Sequence, residues 1–147
     1  MATSNAATTY LENKLLSFIF KNNAGSFATP GDSIYVGLAT AVSDAEAGTL
    51  TEVNTSTQDA NYTRQQVTAA NWTLAAGATD QQTVTNAANI EYSASSGVAT
   101  YTVTHAFIAD AASSGNILFV GALDASKAIA SGDIFRINAG NLTIELK

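Results

Sequence analysis

His105 is the single histidine of the chain, and no cysteine accompanies it. Nucleophilic or metal chemistry therefore has few candidates. A Ser-His-Asp relay would have to join His105 to one of many serines and to an acid such as Asp110 or Asp124, and no G-x-S-x-G elbow is present to expose the serine. A metal would have to rely on carboxylates, for which no EF-hand spacing exists. Asp44 and Glu46 form the kind of acid pair that glycosidic chemistry uses, but they sit in a polar stretch read as a solvent-facing loop. The glycines are dispersed, without the spacing that cradles a phosphate. Asn54, Asn61, Asn71 and Asn141 head N-x-S/T triplets, which arise by chance in a chain rich in Asn and Thr. The expectation is a protein with no catalytic residue, no cofactor and no metal, in which His105 is a buried or half-buried strand residue.

Charge narrows the partners. Twelve acidic residues oppose six basic ones, a formal net charge of −6. The cations Lys14, Lys21, Arg64, Lys127, Arg136 and Lys147 are scattered, whereas binding a phosphate backbone or an anionic membrane needs them aligned. Neither nucleic acid nor membrane is an expected partner. The start MATSNAATTYLENKLLSFIF lacks a basic leader and is interrupted by Glu12, Asn13 and Lys14, so it reads neither as a signal peptide nor as a span. Synthesis in a cytoplasm without export is the expectation.

The elements that would position these residues are mostly strands. From Val98 to Asp110 the odd positions Tyr101, Val103, His105 and Phe107 would share one face, and Thr100, Thr102, Thr104 and Ile108 the other. Ile34–Thr40, Tyr62–Leu74 as one bent strand or two, Thr83–Thr85, Asn89–Tyr92, Asn116–Leu123, Asp133–Ile137 and Leu142–Leu146 bring the total to about eight strands. Turns are signalled at Ser113 to Asn116, Ser131-Gly132-Asp133 and Ala139-Gly140-Asn141. The fold class is mainly β: an antiparallel β-sandwich, jelly-roll-like, with one N-terminal amphipathic α-helix, in a single domain over 1–147.

That helix belongs to an N-terminal segment, 1–24, that opens with a flexible arm. Thr9 to Glu12 reads as a capping box, Leu11, Leu15, Phe18 and Ile19 make an apolar stripe, and Asn22, Asn23 and Gly25 supply stop signals. Pro30-Gly31 makes a turn before the first strand. The stripe either plugs one end of the β core or docks on a neighbouring subunit. Residues 41–61, with Asp44, Glu46, Glu52 and Asp59, read as a long polar loop, either a partner contact or without fixed structure. Trp72 reads as an edge or interface anchor.

Two blocks resemble a family of small tailed-bacteriophage virion proteins. TTYLENKLLSFIF followed by SIYVGLATA resembles the family's opening helix and first strand. YTVTHAFIADAASSGNILFVGALDASKAIASGDIFRINAGNLTIELK resembles its closing pattern: a T-V-T-H strand, a D-A-x-x-G-N turn, a G-A-L strand end, a G-D turn and a final L-T-I strand. NYTRQQVT matches the central strand less closely, with Asn61 where a glycine is common. The resemblance implies a structural protein of the virion. The leading expectation is a capsid decoration (cement) protein, homotrimeric, bound through the major capsid protein to the outer head surface. The alternative is a tail or tail-fibre component serving assembly or host attachment. Interface residues on either reading are Leu11, Leu15, Phe18, Tyr62, Trp72, Asp44, Glu46, Glu52 and Asp59.

Overall fold

The computed structural model describes residues 6–21, 34–76 and 82–146. The stop signals at Asn22, Asn23 and Gly25, the Pro30-Gly31 turn and most of the N-terminal arm lie outside them. Two long strands dominate because long apolar runs meet a strong turn. β8 (Tyr101–Ala109) and β9 (Ile117–Ile129) pair antiparallel. Between them Ser114 and Gly115 both adopt positive φ, and the Asp110 carboxylate accepts from the Asn116 backbone N–H and side-chain amide, each at 2.7 Å. The hairpin read at Ser113 to Asn116 is therefore real.

β8 pairs on its other side with β2 (Tyr35–Asp44), which in turn pairs with β3 (Thr49–Glu52) and β4 (Gln65–Gln66). β1 (Ala6–Ala7) adds to the outer edge of β9 at Phe119 and Val120. This curled antiparallel sheet carries the molecule. β5 (Trp72–Ala76), β6 (Gln82–Asn86) and β11 (Thr143–Leu146) form a second antiparallel sheet, and β7 (Ile90–Glu91) with β10 (Arg136–Ile137) a third. The expected mainly-β class with one N-terminal helix holds. The Tyr62–Leu74 region is two strands, parted by a 3-10 turn at Ala69–Asn71.

The main core lies on one face of the large sheet. Val36 and Leu38 of β2, Tyr101, Val103 and Ala106 of β8 and Ile129 of β9 meet Val53, Tyr62, Val67, Ile90, Tyr92 and Ile137. A smaller core of Ala39, Ala45, Phe107, Ala109 and Val120 lies on the other. The membership of these cores corrects the period-two reading of β8. Tyr101 and Val103 face one core and Phe107 the other, because the register with β9 shifts between Val103 (opposite Lys127) and His105 (opposite Ala122). Val103 and Ala106, three residues apart, share the main core, so the alternation slips within β8 itself at this irregularity, and such a slip moves the following side chains to the other face.

Residues 41–61 are not one long loop. β2 runs on to Asp44, a tight turn closes with Gly48 at φ 67°, and β3 returns. The turn is held by the Ala47 N–H donating to Asp44 Oδ1 at 3.0 Å. After β3, the Asn54 side-chain oxygen accepts from Ser56 and Thr57 N–H at 2.8 and 2.9 Å, an Asx turn that gives this polar segment fixed structure.

The helix α1 (Thr9–Lys21) forms where expected, with a different cap. Thr8 precedes the first helical turn, and its Oγ1 accepts from Leu11 N–H at 3.4 Å, the N-cap role. The same hydroxyl donates to the Ile117 carbonyl at 2.6 Å, and the Thr8 and Thr9 N–H groups donate to Leu118 and Glu46 carbonyls. α1 is thus fastened to the body by its first turn. It does not plug the core: none of its residues is buried.

Candidate functional site

His105 lies half-buried on β8, with its Nδ1 2.8 Å from Thr104 Oγ1. Burial lowers its pKa below the ordinary histidine value. Asp110 is five residues further along the strand, about 16 Å at 3.3 Å per residue, and its carboxylate is committed to the Asn116 turn. A relay between these two is not assembled. Among the described residues, no three His, Asp or Glu side chains gather as a metal site, and no helix is long and apolar enough to cross a membrane.

What the sheet does assemble is a set of polar clamps. On the outer edge of β2, β3 ends opposite Ala39 and β4 begins opposite Val36. The gap at Leu38 is filled by the Tyr62 hydroxyl, which accepts the Leu38 N–H at 2.9 Å and donates to Glu52 Oε1 at 2.8 Å, while Val53 N–H donates to the Leu38 carbonyl. A buried strand edge is thereby satisfied. Arg64 grips the same carboxylate with two bonds of 2.8 Å from Nε and Nη2. Its Nη1 donates to the carbonyls of Ala111 and Ser114 in the β8–β9 turn. The bond to Glu52 raises the pKa of Arg64 despite burial.

The second clamp centres on Asp59, which is 3% exposed. Its Oδ1 accepts from Asn61 and Ser96 N–H at 3.0 and 2.9 Å, and its Oδ2 from the Tyr101 hydroxyl at 2.9 Å. Burial alone would raise its pKa, but the donated hydrogen bonds outweigh burial and leave it below the ordinary value. In Tyr62, Tyr92 and Tyr101 burial comes first and pushes each phenol upward, with the negative charge of Glu52 or Asp59 adding to it.

These clamps correct part of the expected interface. Tyr62 and Asp59 are buried, and Glu52 is held by Tyr62 and Arg64. Trp72 packs against the main core and donates its indole N–H to the Val67 carbonyl at 3.3 Å. Asp44 and Glu46 are exposed, and Leu11 is half-buried. Leu15 and Phe18 are exposed, together with Leu16, Ile19 and Phe20. On α1 the less exposed positions are Leu11, Lys14 and Ser17, so the helix turns its large apolar side chains away from the body.

A second feature had no signal in the sequence. Between β9 and the segment from Ile134 to Glu145 lies an open cleft of about 1240 Å³, lined by Phe119, Leu123, Ile134, Phe135, Leu142 and Ile144 among others. Ile134 is itself exposed. β1 covers only Phe119 and Val120 on this edge of β9, and from Gly121 onward no strand pairs with it among the described residues.

A protein-family model described as Podophage GP4 fiber I protein gp80 matches residues 6–145. The chain belongs to this family. It is a structural protein of the phage virion, as the resemblance in its opening and closing blocks implies. No curated protein matches it. In this member of the gp80 fibre family the α1 face and the β9 cleft both present apolar surface outward.

Proposed function

We propose that the protein is a tail-fibre component of a phage, acting in assembly or host attachment by shape and binding and without catalysis. The observation that carries this reading is the match to a fibre-protein family over residues 6–145. The clamps around Glu52 and Asp59 support it, since a rod-like appendage needs units that keep their shape under load. The net charge of −6 fits a surface kept away from packaged DNA.

Decoration of the outer head surface, with the major capsid protein as partner and a homotrimer as the unit, is the rival reading. It would use the same rigid body, with many modest contacts sharing it, but the family match favours the fibre. Antibody-gold labelling of intact virions separates the two. Gold confined to the tail supports the fibre reading, and gold spread over the head overturns it.

A further inference from the structure

We propose that the apolar face of α1 seats in the β9 cleft of a second copy of this chain. The inference goes beyond the fibre reading and stands on two surfaces of the same molecule. Leu15, Leu16, Phe18, Ile19 and Phe20 are 40–78% exposed. Monomers rarely leave a patch of this kind uncovered, and large ones mark interaction sites.

The areas agree with a stable contact. Taking roughly 200 Å² for a large apolar side chain, the exposed fractions of these five amount to about 550 Å² before the polar flanks of the helix are added. A standard interface takes about 800 Å² from each partner. The cleft is helix-sized at about 1240 Å³, and its wall offers Leu123, Ile134, Phe135 and Leu142. A helix lying in a hydrophobic groove is an established mode of recognition.

The occupant is a second copy rather than the same chain because α1 is fixed at its start. Thr8 is bonded to the Ile117 and Leu118 carbonyls and Thr9 to Glu46, and from that anchor the helix leaves its own cleft empty. Charge does not oppose the contact, since the cleft lining balances Asp124 and Glu145 with Lys127 and Arg136. Each copy then gives a helix and receives one, and the contact closes into a ring or a symmetric pair.

The chain has no cysteine, so single cysteines can report the contact. Phe20→Cys and Ile134→Cys variants of the full chain are mixed and oxidised, with Leu74→Cys, exposed on β5, as the control partner. A covalent Phe20→Cys/Ile134→Cys pair, at least tenfold over the Leu74→Cys control, is the expected result. Phe20→Cys joining chiefly to itself would mean that helix packs on helix, and overturns the proposal. So would sedimentation of the unmodified protein as a monomer. In a second test, Leu16→Asp/Phe20→Asp should weaken self-association at least tenfold while far-UV circular dichroism keeps its β signal; unchanged association overturns the proposal.

Discussion

The ring of Phe107 lies directly on the backbone of Gly37, its register partner across β2 and β8. A Cβ placed on Gly37 would come within 2.6 and 2.7 Å of the two Cε atoms and closer still to Cζ. The Arg64 guanidinium stands over the ring, 5.0 Å from its centroid. Gly37 thus exists to let an aromatic ring lie flat on the sheet, and the ring covers backbone that a glycine would leave bare.

Gly37→Ala is expected to lower stability by about 3 kcal/mol through overpacking, read as a lower urea midpoint with an unchanged slope. Phe107→Leu in the same chain should recover part of that loss. The two substitutions would then be non-additive, as contacting residues are.

Asp59→Ala leaves the Asn61 and Ser96 N–H groups and the Tyr101 hydroxyl without their acceptor. About 3 kcal/mol of stability should go, since each buried group left unpaired costs about 1–3 kcal/mol. Equilibrium urea unfolding checks this. Asp59→Asn should cost less, because its side-chain oxygen still accepts.

Arg64→Lys keeps the charge and loses the fork. A single ammonium cannot hold both Glu52 oxygens and the Ala111 and Ser114 carbonyls together, so a loss of about 2 kcal/mol is expected. Tyr62→Phe exposes the same clamp from the other side by leaving the Leu38 N–H unsatisfied. Thermal unfolding of the two single variants and the double variant should show coupling through Glu52.

The pH profile follows from the directions of the shifts. His105 and Asp59 have folded pKa values below their ordinary 6.5 and 3.8. Each stabilises fully above its ordinary value and loses that contribution as pH falls through the lower folded value. Tyr62, Tyr92 and Tyr101 are raised above 10.0, so their contribution is complete below pH 10 and is lost on the alkaline side. The melting temperature should fall below about pH 6.5, fall further below about pH 3.8 and fall again above pH 10. His105→Gln should flatten the first of these declines while leaving the alkaline one in place.

The β8–β9 hairpin was legible because its Ser-Ser-Gly-Asn turn and flanking apolar runs are local signals, but β9 continues past the expected end at Leu123 to Ile129, through a polar stretch that only pairing with β8 makes a strand. Residues 41–61 misled because Thr, Ser, Asp and Glu fill both a β-hairpin and a loop, and the hairpin is decided by its pairing with β8's neighbour. The face of Phe107 misled because the alternation of β8 slips between Val103 and Ala106, where its pairing with β9 is irregular. Thr9 looked like the cap, yet Thr8 has the partners, supplied by Ile117 and Leu118 more than a hundred residues away. Asp59 looked like a loop acid because Ser96 and Tyr101, which bury it, are distant in sequence. The stripe on α1 was legible as a pattern, but its outward direction depends on where Thr8 fastens the first turn.

The number of copies per purified virion, from quantitative mass spectrometry against the major capsid protein, tests the fibre reading most directly. A few to tens of copies is the expected result. Hundreds of copies, in proportion to the capsomers, would contradict it and place the protein on the head.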